Sequence, residues 1–163
     1  MSNRMSRRLR GAAERATAEI YKHAPITVVA ILGLFATTFG IPATFRAAGF
    51  GQPVETMIAL PDAPQWLLIF SIVVLAPVLE ELVFRKWLIK AFRALSIPFW
   101  AAATVSTALW VASHLPTNIL AVLVYAITGL ILCLLLYKTG RLWPCIVAHA
   151  AYNTPAAFIL MYR

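Results

Sequence analysis

Five apolar runs, at about 25–43, 64–84, 97–114, 118–137 and 142–161, decide what this chain can fold into. A helix needs roughly 20 apolar residues to cross the hydrocarbon core of a bilayer. A spanning strand needs only about ten residues of alternating polarity. These runs are too long and too evenly apolar for strands. The expected fold is therefore all-α, a polytopic membrane helix bundle with about five transmembrane helices. The chain is 61% hydrophobic and only 12% charged, where a soluble domain carries about 25% charged residues. Its 163 residues suffice for one domain. Residues 1–23 read as a basic cytoplasmic tail and 24–163 as a single transmembrane domain.

The net charge of +8 is distributed by loop. Arg4, Arg7, Arg8, Arg10, Arg15 and Lys22 precede the first run. Arg85, Lys86, Lys90 and Arg93 follow the core of the second, and Lys138 and Arg141 lie between the fourth and fifth. The loop expected over 46–64 offers Arg46 beside Glu55 and Asp62. Basic and base-poor loops thus alternate, which predicts a cytoplasmic N-terminus and an external 46–64 loop. The basic tail suits anionic lipids. No aromatic residue interleaves its charges before Tyr21, so nucleic acid is not an expected partner. The first run, behind so long a basic preamble, reads as a retained helix and not as a signal peptide. Cys133 and Cys145 fall inside runs without metal-ligand spacing and read as small buried hydrophobes. His23 reads as an interfacial residue.

The third run contains "AAATVSTA", residues 101–108, nearly all small. Small faces let membrane helices approach closely, which places this helix at the centre of the bundle. Ala102, Ser106, Trp110 and His114 recur every four residues and share a face.

Few strongly polar side chains interrupt the apolar runs after residue 64. They are Glu80, Glu81, Arg85, His114, His149 and Asn153. Charges in hydrocarbon are costly, so they face a polar interior and pair. Glu81 and Arg85 are i, i+4 and can form an ion pair within their helix. Glu80 is turned about 100° away, without that partner. Glu80 lies 17 residues before the turn at Ile97 and His114 lies 17 after it. An antiparallel hairpin therefore places them at equal depth. His149 and Asn153, also i, i+4, project together. Such a set can hydrolyse a peptide bond: Glu80 and His114 activate water, and His149 and Asn153 donate to the developing oxyanion.

These residues stand in three motifs. "EELVFR" (Glu80, Glu81, Arg85), "WVASH" (Trp110, His114) and "HAAYN" (His149, Asn153) resemble, in order, the E-E-x-x-x-R, F-x-x-x-H and H-x-x-x-N/D motifs of the CPBP intramembrane proteases. That family contains CAAX-prenyl endopeptidases and bacteriocin-processing or abortive-infection membrane proteins. The resemblance covers about 64–161. It implies a glutamate-type membrane peptidase, with Glu80 and His114 activating water, His149 and Asn153 at the oxyanion, and Glu81 and Arg85 as structural support; a carboxylate–histidine pair without a zincin motif is expected to work without metal. Trp110 replaces the motif's Phe and is expected to wall the substrate pocket. The implied partner is a membrane peptide or protein substrate, and the expected location is a bacterial cytoplasmic membrane. The chain is shorter than the prenyl-processing members, so prenylated-substrate specificity is not carried over.

Other readings of the same residues stay open. His114, His149 and a glutamate form a possible zinc set, although no H-E-x-x-H is present. A non-catalytic scaffold or chaperone of the same family would keep the motifs. A transporter fits less well, because no inverted repeat is visible. Ser113 adjoins His114 but points about 100° from it on a helix, which discounts a serine nucleophile.

Overall fold

A computed structural model describes residues 2–47 and 63–161. The described residues form helices and short links, with no strand among them. Three helical rods are long and apolar enough to cross a membrane: Met5–Thr44, Gln65–Ala94 and Ile119–Thr139. Between and after them lie the shorter apolar helix Phe99–Ser113 and the 19-residue helix Trp143–Met161. Together they make a helical membrane bundle, and the chain is an integral membrane protein. The expected 46–64 loop falls largely on 48–62, outside the described residues.

The first rod begins as α1 (Ser2–Phe35) and continues through a π-helical stretch, Ala36–Gly40, into α2 (Ile41–Ala47). The segment read as a basic tail is thus helical and continuous with the first span. Its Ala, Arg and Glu content favours helix, and Pro25 removes one hydrogen bond without ending the rod. His23 is not a free interfacial residue. It is 7% exposed, its Nε2 lies 3.3 Å from Glu19, and its ring packs edge-on against Trp143. Glu19 also meets Arg141 at 3.3 Å and so ties α1 to the link before the last helix.

The second rod is α3 (Gln65–Phe70), a π-helical stretch Ser71–Leu75, α4 (Ala76–Glu80), a longer π-helical stretch Glu81–Leu88, and α5 (Ile89–Ala94). It turns through 95–98 into α6 (Phe99–Ser113). After a link it continues as α7 (Ile119–Thr139) and, past a tight turn, α8 (Trp143–Met161). Local chemistry sets these ends. Asn118 caps α7 by accepting from the Ala121 N–H at 2.9 Å. Gly140 closes it in the left-handed conformation, φ 62°, with its N–H on the Leu136 carbonyl. Pro116 disfavours helix in the residue before it. Accordingly α6 stops at Ser113, and Leu115 takes φ 46°, a strained value for leucine.

The core lies on both sides of α7. Ala30 and Leu34 of α1 meet Leu132, Leu135, Cys145 and Ala148 on one side. Ile89, Ala102, Ala103 and Cys133 form the other. The small residues of α6 are buried as a face: Ala102, Ala103, Ser106, Thr107 and Trp110. Opposite them Gly129 has no room for a side chain, since a Cβ there would sit 2.7 Å from Thr107 Cγ2 and 3.2 Å from the Trp110 ring. This close approach of α6 and α7 lets Trp110 reach the second rod.

Candidate active site

Pro116 ends α6 so that His114 is its C-cap residue, with its imidazole hydrogen-bonded through Nδ1 to the Trp110 carbonyl at 2.8 Å. A carbonyl only accepts, so Nδ1 carries the proton and Nε2 presents a lone pair. That Nε2 lies 3.8 Å from Glu80 Oε2. From α8, His149 Nε2 approaches the same oxygen, also at 3.8 Å. Trp110 Nε1–H donates to it at 2.5 Å. Two helices, α6 and α8, therefore deliver three nitrogens to one carboxylate oxygen. Glu80 and His114 keep about a quarter of their side-chain surface exposed, whereas His149 is 2% exposed.

The second glutamate has a different environment. Glu81 is fully buried, 3.3 Å from the guanidinium of Arg85 one turn on and 2.9 Å from His149 Nδ1. A carboxylate only accepts, so His149 donates from Nδ1. Arg85 is buried as well, with its Cζ 4.8 Å from the Trp110 ring centroid. Its nitrogens make no hydrogen bond among the described residues. The ion pair and the aromatic face are what compensate this cation. Glu81 thus orients His149, and Arg85 balances Glu81.

Two expected site residues are placed otherwise. Trp110, read as a pocket wall, is 0% exposed. It lies beneath Arg85, edge-on to His114 and His149 at 4.5 and 5.7 Å, and donates to Glu80. Its indole N–H, which the motif's Phe lacks, makes it a partner of the carboxylate. Asn153 donates its amide to the Ile72 carbonyl at 3.0 Å, inside the first π-helical stretch of the second rod. Ser106 bonds the Phe84 carbonyl in the other stretch in the same way. A π-helix departs from the i→i−4 ladder, and side chains from α8 and α6 satisfy the carbonyls involved. Ser113 donates to the Trp110 carbonyl at 2.7 Å and is 3.5 Å from His114 Nδ1, the protonated nitrogen. It has no base there.

Tyr125 of α7 was not legible as a site residue. Its ring lies 4.7 Å from that of His114 and 5.8 Å from that of Trp110. The available signal was a tyrosine deep inside the fourth apolar run, where a hydroxyl needs a reason to be.

The fold and this cluster define a class: an integral membrane helical bundle with a carboxylate–histidine centre built across four helices. Comparison with known proteins narrows it. Residues 62–155 match the model of the family described as type II CAAX prenyl endopeptidase Rce1-like. The chain belongs to this family, within the CPBP proteases that its three motifs resemble. It is also 30% identical over 131 residues to the Bacillus subtilis (strain 168) protein named "Putative membrane peptidase YdiL", covering 77% of this chain and 52% of that one. The chain thus spans about half the length of the curated relative it matches. No solved structure matches it.

Proposed function

We propose that the chain is an intramembrane endopeptidase that hydrolyses a peptide bond of a membrane-associated substrate with water activated by Glu80 and His114. The observation that carries this reading is the convergence on Glu80 Oε2 of two imidazole Nε2 atoms and one indole N–H. Glu80 and His114 Nε2 are both acceptors, and 3.8 Å is too long for a direct hydrogen bond. A water that donates one hydrogen to each is held with its lone pair free. It attacks the scissile carbonyl carbon, Glu80 takes its proton, and the carbonyl π pair moves to oxygen. On collapse the C=O re-forms, the C–N bond breaks, and Glu80 returns the proton to the leaving nitrogen.

We assign no metal to this reaction. Among the described residues no group of three or more His, Cys, Asp or Glu is arranged to hold one. The test is a peptidase assay on detergent-purified protein, with a farnesylated CAAX-type peptide and unmodified membrane peptides as probes. Cleavage is expected to persist at full rate in a chelator. Complete inhibition reversed by added zinc would instead make Glu80, His114 and His149 a zinc set. A protein that folds, binds the peptides and cleaves none is the scaffold of the alternative reading.

The proposed location is a bacterial cytoplasmic membrane with the N-terminus inside, supported by the basic residues of α1 and by Lys86, Lys90 and Arg93, which lead into the 95–98 turn. The exposed Ser96 in that hairpin gives a test, since Cys133 and Cys145 are buried and do not compete. In Ser96→Cys, a membrane-impermeant thiol reagent is expected to label only permeabilised cells. Labelling of intact cells would invert the topology. The basic face of α1 is proposed to lie against anionic lipid headgroups.

A further inference from the structure

We propose that Tyr125 is a further catalytic residue, whose hydroxyl donates a hydrogen bond to the oxyanion formed on the scissile carbonyl. This rests on the peptidase reading above and assigns that reaction one more group.

The inference starts from which donors around Glu80 are already committed. His149 spends Nδ1–H on Glu81, and Trp110 spends its only N–H on Glu80. Asn153, the other donor expected at the oxyanion, gives one of its two amide hydrogens to the Ile72 carbonyl on the second rod. Ser113 donates to the Trp110 carbonyl. Tyr125 differs from all of these. Its ring is fixed by stacking, tilted 40° against His114 and perpendicular to Trp110. Its hydroxyl makes no hydrogen bond to another described residue, yet it lies within electrostatic reach of both Glu80 and Tyr152. The residue is only half-buried, so a bound substrate can approach it. A buried tyrosine ordinarily satisfies its hydroxyl locally. Here a rigid phenol beside the water-activating pair keeps its donor free.

The chemistry needs such a donor. When the water oxygen bonds to the carbonyl carbon, the π pair moves onto the carbonyl oxygen and Glu80 holds the released proton. A preorganised O–H aimed at that oxygen binds the tetrahedral state more tightly than the substrate. When the pair returns and the C–N bond breaks, Tyr125 keeps its proton throughout and only its hydrogen bond weakens.

The test is Tyr125→Phe, which keeps the ring and its stacking and removes one oxygen. Turnover of the cleaved peptide is expected to fall about 10²- to 10³-fold, the usual cost of one oxyanion donor. KM should change little, because the lost bond belongs to the transition state. Melting temperature should match wild type. Tyr137→Phe is the control: its ring packs on Phe99 and Trp100 at the other end of α7, and it should keep the wild-type rate. Wild-type kcat in Tyr125→Phe, with Glu80→Gln inactive, overturns this inference and leaves the peptidase reading standing. A lowered melting temperature with unchanged kcat makes the hydroxyl structural, and a raised KM alone makes it a binding group; either result overturns the proposal. A wild-type protein that cleaves no peptide removes the peptidase reading and this inference with it.

Discussion

Glu80→Gln is expected to abolish peptide cleavage while leaving the bundle folded. The amide has nearly the shape of the carboxylate, and its oxygen can still accept the Trp110 N–H that now bonds Oε2. It cannot take a proton from water. Removing a general base typically costs 10²- to 10⁴-fold. Here the upper part of that range is expected, because the base also returns its proton to the leaving nitrogen. Glu80 is about a quarter exposed and belongs to no buried ion pair with a permanent cation, so melting temperature should hardly move. The measurement is single-turnover cleavage alongside thermal unfolding in the same detergent. Wild-type turnover in this variant would end the assignment of Glu80 as base.

Much of this geometry follows from counting residues. The five apolar runs are five helical segments, and the second and third turn back at Ile97. Equal separation from that turn put Glu80 level with His114, and their side chains meet at 3.8 Å. The i, i+4 spacing of Glu81 and Arg85 gave the ion pair. What counting missed is what crosses between helices or departs from the α-helical period. Nothing in "HAAYN" says that His149 Nδ1 bonds Glu81 rather than facing the reacting carbonyl. That depends on the rotation of α8 against the second rod. The π-helical stretches Ser71–Leu75 and Glu81–Leu88 are invisible to a reading that assumes 3.6 residues per turn. They widen the rod and advance less per residue, so heights counted along it as α-helix are overestimates. The first of them contains the carbonyl that engages Asn153. Trp110 was legible as an aromatic on the His114 face. Its indole N–H, and the close α6–α7 contact over Gly129 that buries it, were not.

Glu81→Gln is expected to fail in the opposite way, by loss of stability. Glu81 and Arg85 have no exposed side-chain surface. Taking both charges out of water is costly, and their mutual attraction recovers that cost only while both are present. With a neutral amide at 81, Arg85 keeps its charge between Trp110 and the core, without a counter-ion at 3.3 Å. Breaking a buried pair in this way typically costs about 3–5 kcal/mol. The variant should therefore melt well below wild type or fail to accumulate, whereas Glu80→Gln does neither. Activity should fall too, because His149 loses the carboxylate on its Nδ1 and with it the orientation of Nε2 toward Glu80. A double substitution separates the two effects. Glu81→Gln with Arg85→Met removes the stranded charge and fills its volume, so much of the stability should return while His149 still lacks its carboxylate. Recovered melting temperature without recovered turnover is the expected outcome. A folded, inactive Glu81→Gln at wild-type melting temperature, beside an active Glu80→Gln, would exchange the roles of the two glutamates.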